Sequence, residues 1–335
     1  MRQLSYVEAL NEGLAQALEA DGRVLLIGQG VTSPWYVGAS TKGLVDRFGT
    51  DRVIDTPVSE NAVTGAAVGA ALAGMRPIVV HPRMDFMYYA LDQIANHAAN
   101  WRHMFGGKGS VPVVFWGIVN RGGEQAAQHS QSLHALFAHI PGLKVVLPST
   151  PHDVKGLLLS AIDDDDPVVF VDERWLYGER GVVPIEPYRV PLGSAAVRRQ
   201  GTDITIVASS WMSREALRAC DLLSAHRVDA EVIDVRSLKP LDEACVLESV
   251  RKTGRLLAVD GGWRSYGASA EFCALAATEA FEALRCAPAR IALPDMPAPA
   301  ARTLERVYYP DAERIALEAS RMVRQGSDGR RKETA

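Results

Sequence analysis

Short apolar runs alternate with stretches of helical period along almost all of this 335-residue chain, and that alternation constrains the fold more than any other feature. Residues 24–28, 52–56, 77–81, 111–118, 144–148 and 167–171 are largely apolar and of strand length. Between them, residues 6–20, 44–48, 61–74, 85–105, 128–138 and 153–162 read as helices. Apolar strands separated by helices are the pattern of a parallel sheet, because each crossover helix returns the chain to the same sheet end while covering one face. Such sheets are open and doubly wound, and their working residues sit where strands end and helices begin.

The pattern dissolves between residues 177 and 201, where Pro184, Pro187 and Pro191 stand among charges, as in a linker over the surface. A second alternating unit follows, with strands at 204–208, 230–235, 256–259 and 290–293 and helices at 214–225, 243–252, 268–284 and 311–324. The polar, glycine-containing stretch 326–335 is expected to be disordered. The chain is long for one hydrophobic core. We therefore expect an α/β fold of two doubly wound domains, residues 1–176 and 202–325, joined by the linker 177–201.

A formal charge of -4 gives no reason to expect a nucleic-acid partner. Cys220, Cys245, Cys273 and Cys286 lack metal-site or redox spacing and read as reduced thiols, which points to the cytoplasm. The first residues carry acids and no continuous apolar core, so neither a signal nor a transit peptide is expected. Residues 62–75 are too few and too small to span a bilayer, so no membrane association is expected.

Motif searches are mostly negative. No GxGxxG follows a strand and no GxxxxGK[ST] occurs, while Gly28-Gln-Gly30 lacks the third glycine of a dinucleotide fingerprint. No HExxH, cysteine–histidine cluster or GxSxG elbow appears. The acidic run 163–166 fits a solvated turn, or a cation site built partly from carbonyls. Three features remain. Glu60 stands at the mouth of the small-residue segment Gly65, Ala66, Ala67, Gly69, Ala70 and Ala71, where another backbone can approach closely. It reads either as an acid complementing a helix dipole or as a carboxyl with a raised pKa. Phe86, Tyr88 and Tyr89 group in the long helical stretch, and His129 lies where the loop 120–123 hands over to the next one.

Longer motifs add to this. Asp55-Thr-Pro-Val-Ser-Glu60 with the small-residue helix, Ala90-Leu-Asp-Gln-Ile94 and Ala127-Gln-His-Ser-Gln131 resemble the beta subunit of thiamine-diphosphate-dependent 2-oxoacid dehydrogenases. Pro141-Gly-Leu-Lys-Val-Val146, Ala161-Ile162, Asp166-Pro-Val-Val169 and Asp260-Gly-Gly-Trp263 extend the resemblance from about residue 3 to 324. Pyruvate, acetoin and branched-chain enzymes have such subunits. The resemblance implies a transketolase-type pyrimidine-binding domain followed by a transketolase C-terminal domain. It implies that Glu60 hydrogen-bonds the cofactor's aminopyrimidine, that Phe86 stacks on that ring with Tyr89 beside it, and that His129 is the active-site histidine. It also implies a structural potassium site at Val113, Ala161, Asp164 and Asp166.

The magnesium-binding Gly-Asp-Gly motif with its later Asn, common in this superfamily, is absent. The resemblance therefore implies an alpha subunit that holds magnesium and the diphosphate, in a tetramer of two alpha and two beta chains inactive without alpha. The implied reaction decarboxylates a 2-oxoacid of pyruvate or branched-chain type and passes the acyl group to a lipoylated dihydrolipoyl acyltransferase. Two alternatives are an acyl transferase forming a carbon–carbon bond and a non-catalytic scaffold subunit. The segment His81-Pro-Arg-Met-Asp-Phe86, Tyr89 in place of a frequent glutamine, and the chargeable Arg121 and Glu124 depart from the pyruvate enzymes near the substrate entrance. Arg121 itself reads as a surface loop residue.

Overall fold

The computed structural model describes residues 2–121, 123 and 125–332, with side chains through residue 325. The chain forms two compact units, Met1–Leu192 with Leu238–Pro240, and Gly193–Ser237 with Leu241–Ala335.

The first unit is built on a seven-stranded sheet. Its strands run in the order Ser237–Lys239, Lys144–Val146, Val168–Glu173, Val114–Val119, Arg76–His81, Val24–Gly28 and Val53–Asp55. The six strands from Lys144–Val146 onward pair in parallel. They are apolar because both faces are covered, and Phe115, Trp116 and Phe170 are fully buried. The first helix, Tyr6–Ala20, begins with a capping box in which the Ser5 hydroxyl accepts from Glu8 N and the Ser5 amide donates to the Glu8 carboxylate.

One feature of the strand order positions everything that follows. From Val24–Gly28 the chain crosses to Val53–Asp55 on one side and then to Arg76–His81 on the other. The two crossovers diverge at the carboxyl ends of these strands and open a crevice there.

The second unit carries a five-stranded sheet in the order Ala289–Leu293, Leu256–Trp263, Ile204–Ala208, Ala230–Asp234 and Ala196–Arg199. Its first four strands are parallel and the last is an antiparallel edge. Ile206, Val232, Leu257 and Ile291 form its core with helices Ser210–Ala225 and Ala312–Lys332.

The structure departs from the expected elements at several places. Two short strands lie within the stretch read as linker: Arg180–Val182 pairs with Gln3–Ser5, and Ala196–Arg199 forms the sheet edge. The helix expected over 85–105 is divided into a 3-10 segment Met84–Ala90, a π segment Asp92–Ala98 and an α-helix Ala99–Met104. The helix expected from 128 begins at His134, which leaves His129 in a loop. The last helix continues to Lys332.

Candidate active site

The crevice at the strand-order reversal holds a cavity of about 440 Å³. Its floor is the ends of two strands, through Gly28 and through Val79, Val80 and His81. The wall is the turn Thr56–Pro57–Val58–Ser59 and the start of helix Glu60–Leu72, closed by Phe86, Tyr89 and His129. Gly28 is required by close approach, since a Cβ there would lie 2.5 Å from Val80 O. Gly30 combines a φ of +72° with contact against the Tyr36 ring, so a side chain there would be both strained and obstructed.

Glu60 is the first residue of its helix, partly buried at the cavity. On the same helix Ala62, Ala66, Gly69 and Ala73 are exposed along one face, while Thr64, Ala67, Val68 and Ala71 are buried. Phe86 meets His129 edge to face, with ring centroids 5.4 Å apart. His129 sits in a turn that opens at Ala126, a residue with φ +58°. Asp85 holds this loop: its Oδ1 accepts from Gln131 N at 3.0 Å. Burial raises the Asp85 carboxyl above its ordinary range, against the Gln131 bond and the nearby His129. His81 lies under the floor, 3.4 Å from Thr64 Oγ1, and burial lowers its pKa to about 4, so its ring is neutral at pH 7.

Glu60, Phe86, Tyr89 and His129 thus all line one cavity. Gln29, Tyr36 and Arg83 join them. Gln29 Nε2 donates to Tyr36 Oη at 2.6 Å, and Asp55 clamps their loop by accepting from Gly30 N and Thr32 Oγ1. Gln29 is discounted as a nucleotide motif, yet its place directly after a strand at the reversal is the signal that would have found it. Arg121 is not at the surface. It is buried and pairs with Glu173 at 2.7 Å, because the loop after strand Val114–Val119 turns inward beside the end of strand Val168–Glu173. Glu124 lies outside the described residues.

The four residues at the implied potassium site are placed apart from this cavity. Asp164 Oδ1 accepts from Asp166 N at 2.9 Å, and both Asp164 carboxylate oxygens accept from Lys144 Nζ at 2.7 and 2.6 Å. Asp166 pairs with Arg102, and Arg76 donates to the carbonyls of Ile162 and Asp164. Val113 O accepts from Val168 N. The carboxylates of Asp164 and Asp166 are therefore matched by side-chain cations. Among the described residues no cluster of three or more His, Cys, Asp or Glu side chains is arranged to hold a metal.

The donor set of the cavity fits a thiamine pyrimidine: one carboxylate for a ring nitrogen, an aromatic side chain to stack on, and the apolar Val63 and Val79. Among the described residues it offers no glycine-rich phosphate cradle.

Comparisons with known proteins cover both halves of the chain. The family model described as Transketolase, pyrimidine binding domain matches residues 2–179, and that described as Transketolase, C-terminal domain matches residues 193–315. The chain is 44% identical to the beta subunit of acetoin:2,6-dichlorophenolindophenol oxidoreductase of Cupriavidus necator, over 97% of this chain and 99% of the relative. It is 42% identical to the mitochondrial pyruvate dehydrogenase E1 component subunit beta-2 of Oryza sativa subsp. japonica, over 96% and 86%. A solved structure titled as a split-gene transketolase, inactive beta4 tetramer, superposes with a TM-score of 0.79 at 19% identity, covering 96% of this chain and 99% of that one, which bears on the fold alone. Among the described residues no helix is long and apolar enough to cross a membrane.

Proposed function

The chain belongs to the family of transketolase-type beta subunits of thiamine-diphosphate-dependent 2-oxoacid dehydrogenases, and from that premise we propose how its own residues serve the reaction. The observation that carries the reading is the convergence of Glu60, Phe86 and His129 on one cavity at the strand-order reversal. When bound, thiamine diphosphate supplies the carbon nucleophile for a 2-oxo carbonyl and the sink for the electrons left when carbon dioxide departs. Glu60 holds and returns a proton at a ring nitrogen of the pyrimidine. Phe86 orients that ring, with Tyr89 at the rim. His129 offers an imidazole on a loop that Asp85 keeps in place, where it assists release of the acyl group. Val63 and Val79 exclude water from the base of the site.

An alpha subunit supplies the missing diphosphate and magnesium half, in a complex of two alpha and two beta chains. The exposed small-residue face of the helix Glu60–Leu72 supports a close-packed contact there. A lipoylated acyltransferase accepts the acyl group. Potassium, where it binds, uses carbonyls around Val113, Ala161, Asp164 and Asp166. The domain bounds 1–176 and, apart from Leu238–Pro240, 202–325 lie within the two compact units, and the stretch between them contributes strands Arg180–Val182 and Ala196–Arg199. The four cysteines are free thiols, which supports a cytoplasmic setting.

Calorimetric titration of thiamine diphosphate with magnesium tests the split site. Tight binding is expected only when this chain is co-expressed with its alpha subunit, followed by carbon dioxide release from a 2-oxoacid and stimulation by a lipoyl domain. Equally tight binding by the isolated chain contradicts the reading.

A further inference from the structure

Arg83 places a positive charge in the cavity wall that the chemistry above does not use. Its guanidinium is poorly matched. Nη1 donates to the carbonyl of Pro82 at 2.8 Å, Nη2 reaches Gln125 Oε1 only at 3.4 Å, and Nε is buried without an acceptor. Among the described residues no carboxylate forms an ion pair with it. A second guanidinium is close by, since Arg174 donates to Tyr36 O at 2.7 Å and Tyr36 lines the same cavity. Burial first, and Arg174 second, pull Arg83 below the usual guanidinium range, while Tyr36, Asp85 and Tyr177 act more weakly the other way. The other polar lining groups near this end, Gln29 and Tyr36, hydrogen-bond each other and bring no formal charge. Glu60, the one lining carboxylate among the described residues, belongs to the cofactor's pyrimidine in the function proposed above.

A partly desolvated cation that no carboxylate ion-pairs among the described residues is an unfavourable arrangement that an oxyanion ligand reverses, and guanidinium suits carboxylate and phosphate-type groups in particular. The carboxylate that leaves as carbon dioxide is the wrong partner. Its charge disperses in the transition state, so a cation on it would stabilise the substrate more than the transition state and slow the reaction. An anion that stays on the acyl group keeps its charge throughout and anchors the donor without that penalty.

We propose that Arg83 is the specificity-determining residue for a 2-oxoacid donor that carries a second oxyanion, a distal carboxylate or phosphonate-type group, beyond its 2-oxo carboxylate. This inference rests on the 2-oxoacid reading of the site.

The test uses the complex of alpha and beta subunits loaded with thiamine diphosphate and magnesium, with 2,6-dichlorophenolindophenol as electron acceptor and carbon dioxide release as the readout. The donors are 2-oxoglutarate, 2-oxo-4-phosphonobutanoate and the uncharged-tail 2-oxohexanoate. The unaltered complex is expected to prefer one of the two anionic-tail donors, and which of them wins identifies the oxyanion. In Arg83→Gln the ratio of kcat/KM between that donor and 2-oxohexanoate is expected to fall by roughly tenfold to a hundredfold, as for loss of a charged hydrogen bond. Arg83→Lys should recover part of the ratio. A complex that prefers 2-oxohexanoate, or a ratio that does not move in Arg83→Gln, overturns the inference. So does a loss of cofactor affinity in Arg83→Gln with the donor ratio intact, which would place Arg83 on the diphosphate instead. If a cofactor-loaded complex releases carbon dioxide from none of these donors and from neither pyruvate nor 3-methyl-2-oxobutanoate, the proposed function fails. Arg83 is then judged by calorimetric titration with glutarate: binding that weakens in Arg83→Gln sustains the anion site, and binding that is absent or equal in both removes it.

Discussion

At the residue scale the site divides into groups proposed to touch the cofactor and groups that hold them. Glu60 is the one carboxylate among the described cavity-lining residues, and the role proposed for it needs an atom able to give up and take back a proton. An amide keeps the hydrogen-bonding shape and loses that ability. Glu60→Gln in the assembled enzyme is therefore expected to lower kcat by about a hundredfold or more, the range of general acid–base contributions, with cofactor binding changed far less. Stopped-assay carbon dioxide release beside calorimetry of the same preparation checks both halves, and undiminished turnover would favour a scaffold role for this chain. Asp85 is of the second kind. It reaches the reaction only through the loop that carries His129, and no motif marks it, because its partner is a backbone amide at Gln131. Arg121 shows the limit of reading charge as exposure: a lone arginine in a glycine-containing loop looks solvated until Glu173, on another strand, is brought beside it.

At the scale of elements, the helix Glu60–Leu72 has two faces with different tasks. Thr64, Ala67, Val68 and Ala71 pack inward, and Ala62, Ala66, Gly69 and Ala73 lie bare on the other side. Small side chains on an exposed face contribute little to this chain's own stability, so their use lies in what they let approach. Ala66→Leu is expected to shift the unfolding free energy of the isolated chain by no more than about 0.5 kcal/mol. It should weaken assembly with the alpha subunit by about tenfold or more, because packed interiors accept added methylenes poorly. Size-exclusion chromatography of the mixed subunits, beside thermal unfolding of the beta chain, separates the two effects; assembly as tight as that of the unaltered chain would place the alpha contact elsewhere. The segment 84–104 carries a different lesson. Its apolar spacing is helical, but the carbonyl to which each amide bonds is chosen by packing, and three kinds of helical turn result. That division accompanies the placement of Phe86 and Tyr89 at the cavity while Met84, Met87 and Ala90 enter the core.

At the scale of the whole molecule, Asp172 links pH to stability. It is buried below the sheet end, where Tyr177 Oη and Trp116 Nε1 donate to its Oδ2 at 2.7 and 3.1 Å, and burial raises its pKa from 3.8 to about 6. A carboxyl that holds its proton more tightly when folded contributes stability fully below pH 3.8 and loses it as pH rises through about 6. Asp172→Asn keeps the neutral form at every pH. Denaturant unfolding from pH 4 to 8 is therefore expected to show the unaltered chain losing stability relative to this variant as pH rises; parallel curves would contradict the burial cause. His81, held neutral by burial with a pKa near 4, acts in the opposite sense and cancels in the comparison. By itself the sequence determined the class of fold, because hydrophobic periodicity is a local property, and every strand of the two parallel arrays is marked by an apolar run, while the short edges Ser237–Lys239 and Ala196–Arg199 are not. It determined the family as well, and through it Glu60, Phe86 and His129, because those residues stand in long ordered motifs. Only the tertiary structure decided that these three share a cavity with Gln29, Tyr36 and Arg83, and that Arg121 is buried against Glu173. The reason is physical: a reversal of strand order brings together residues far apart in the chain, and no local pattern of side chains records which distant neighbour each of them will meet.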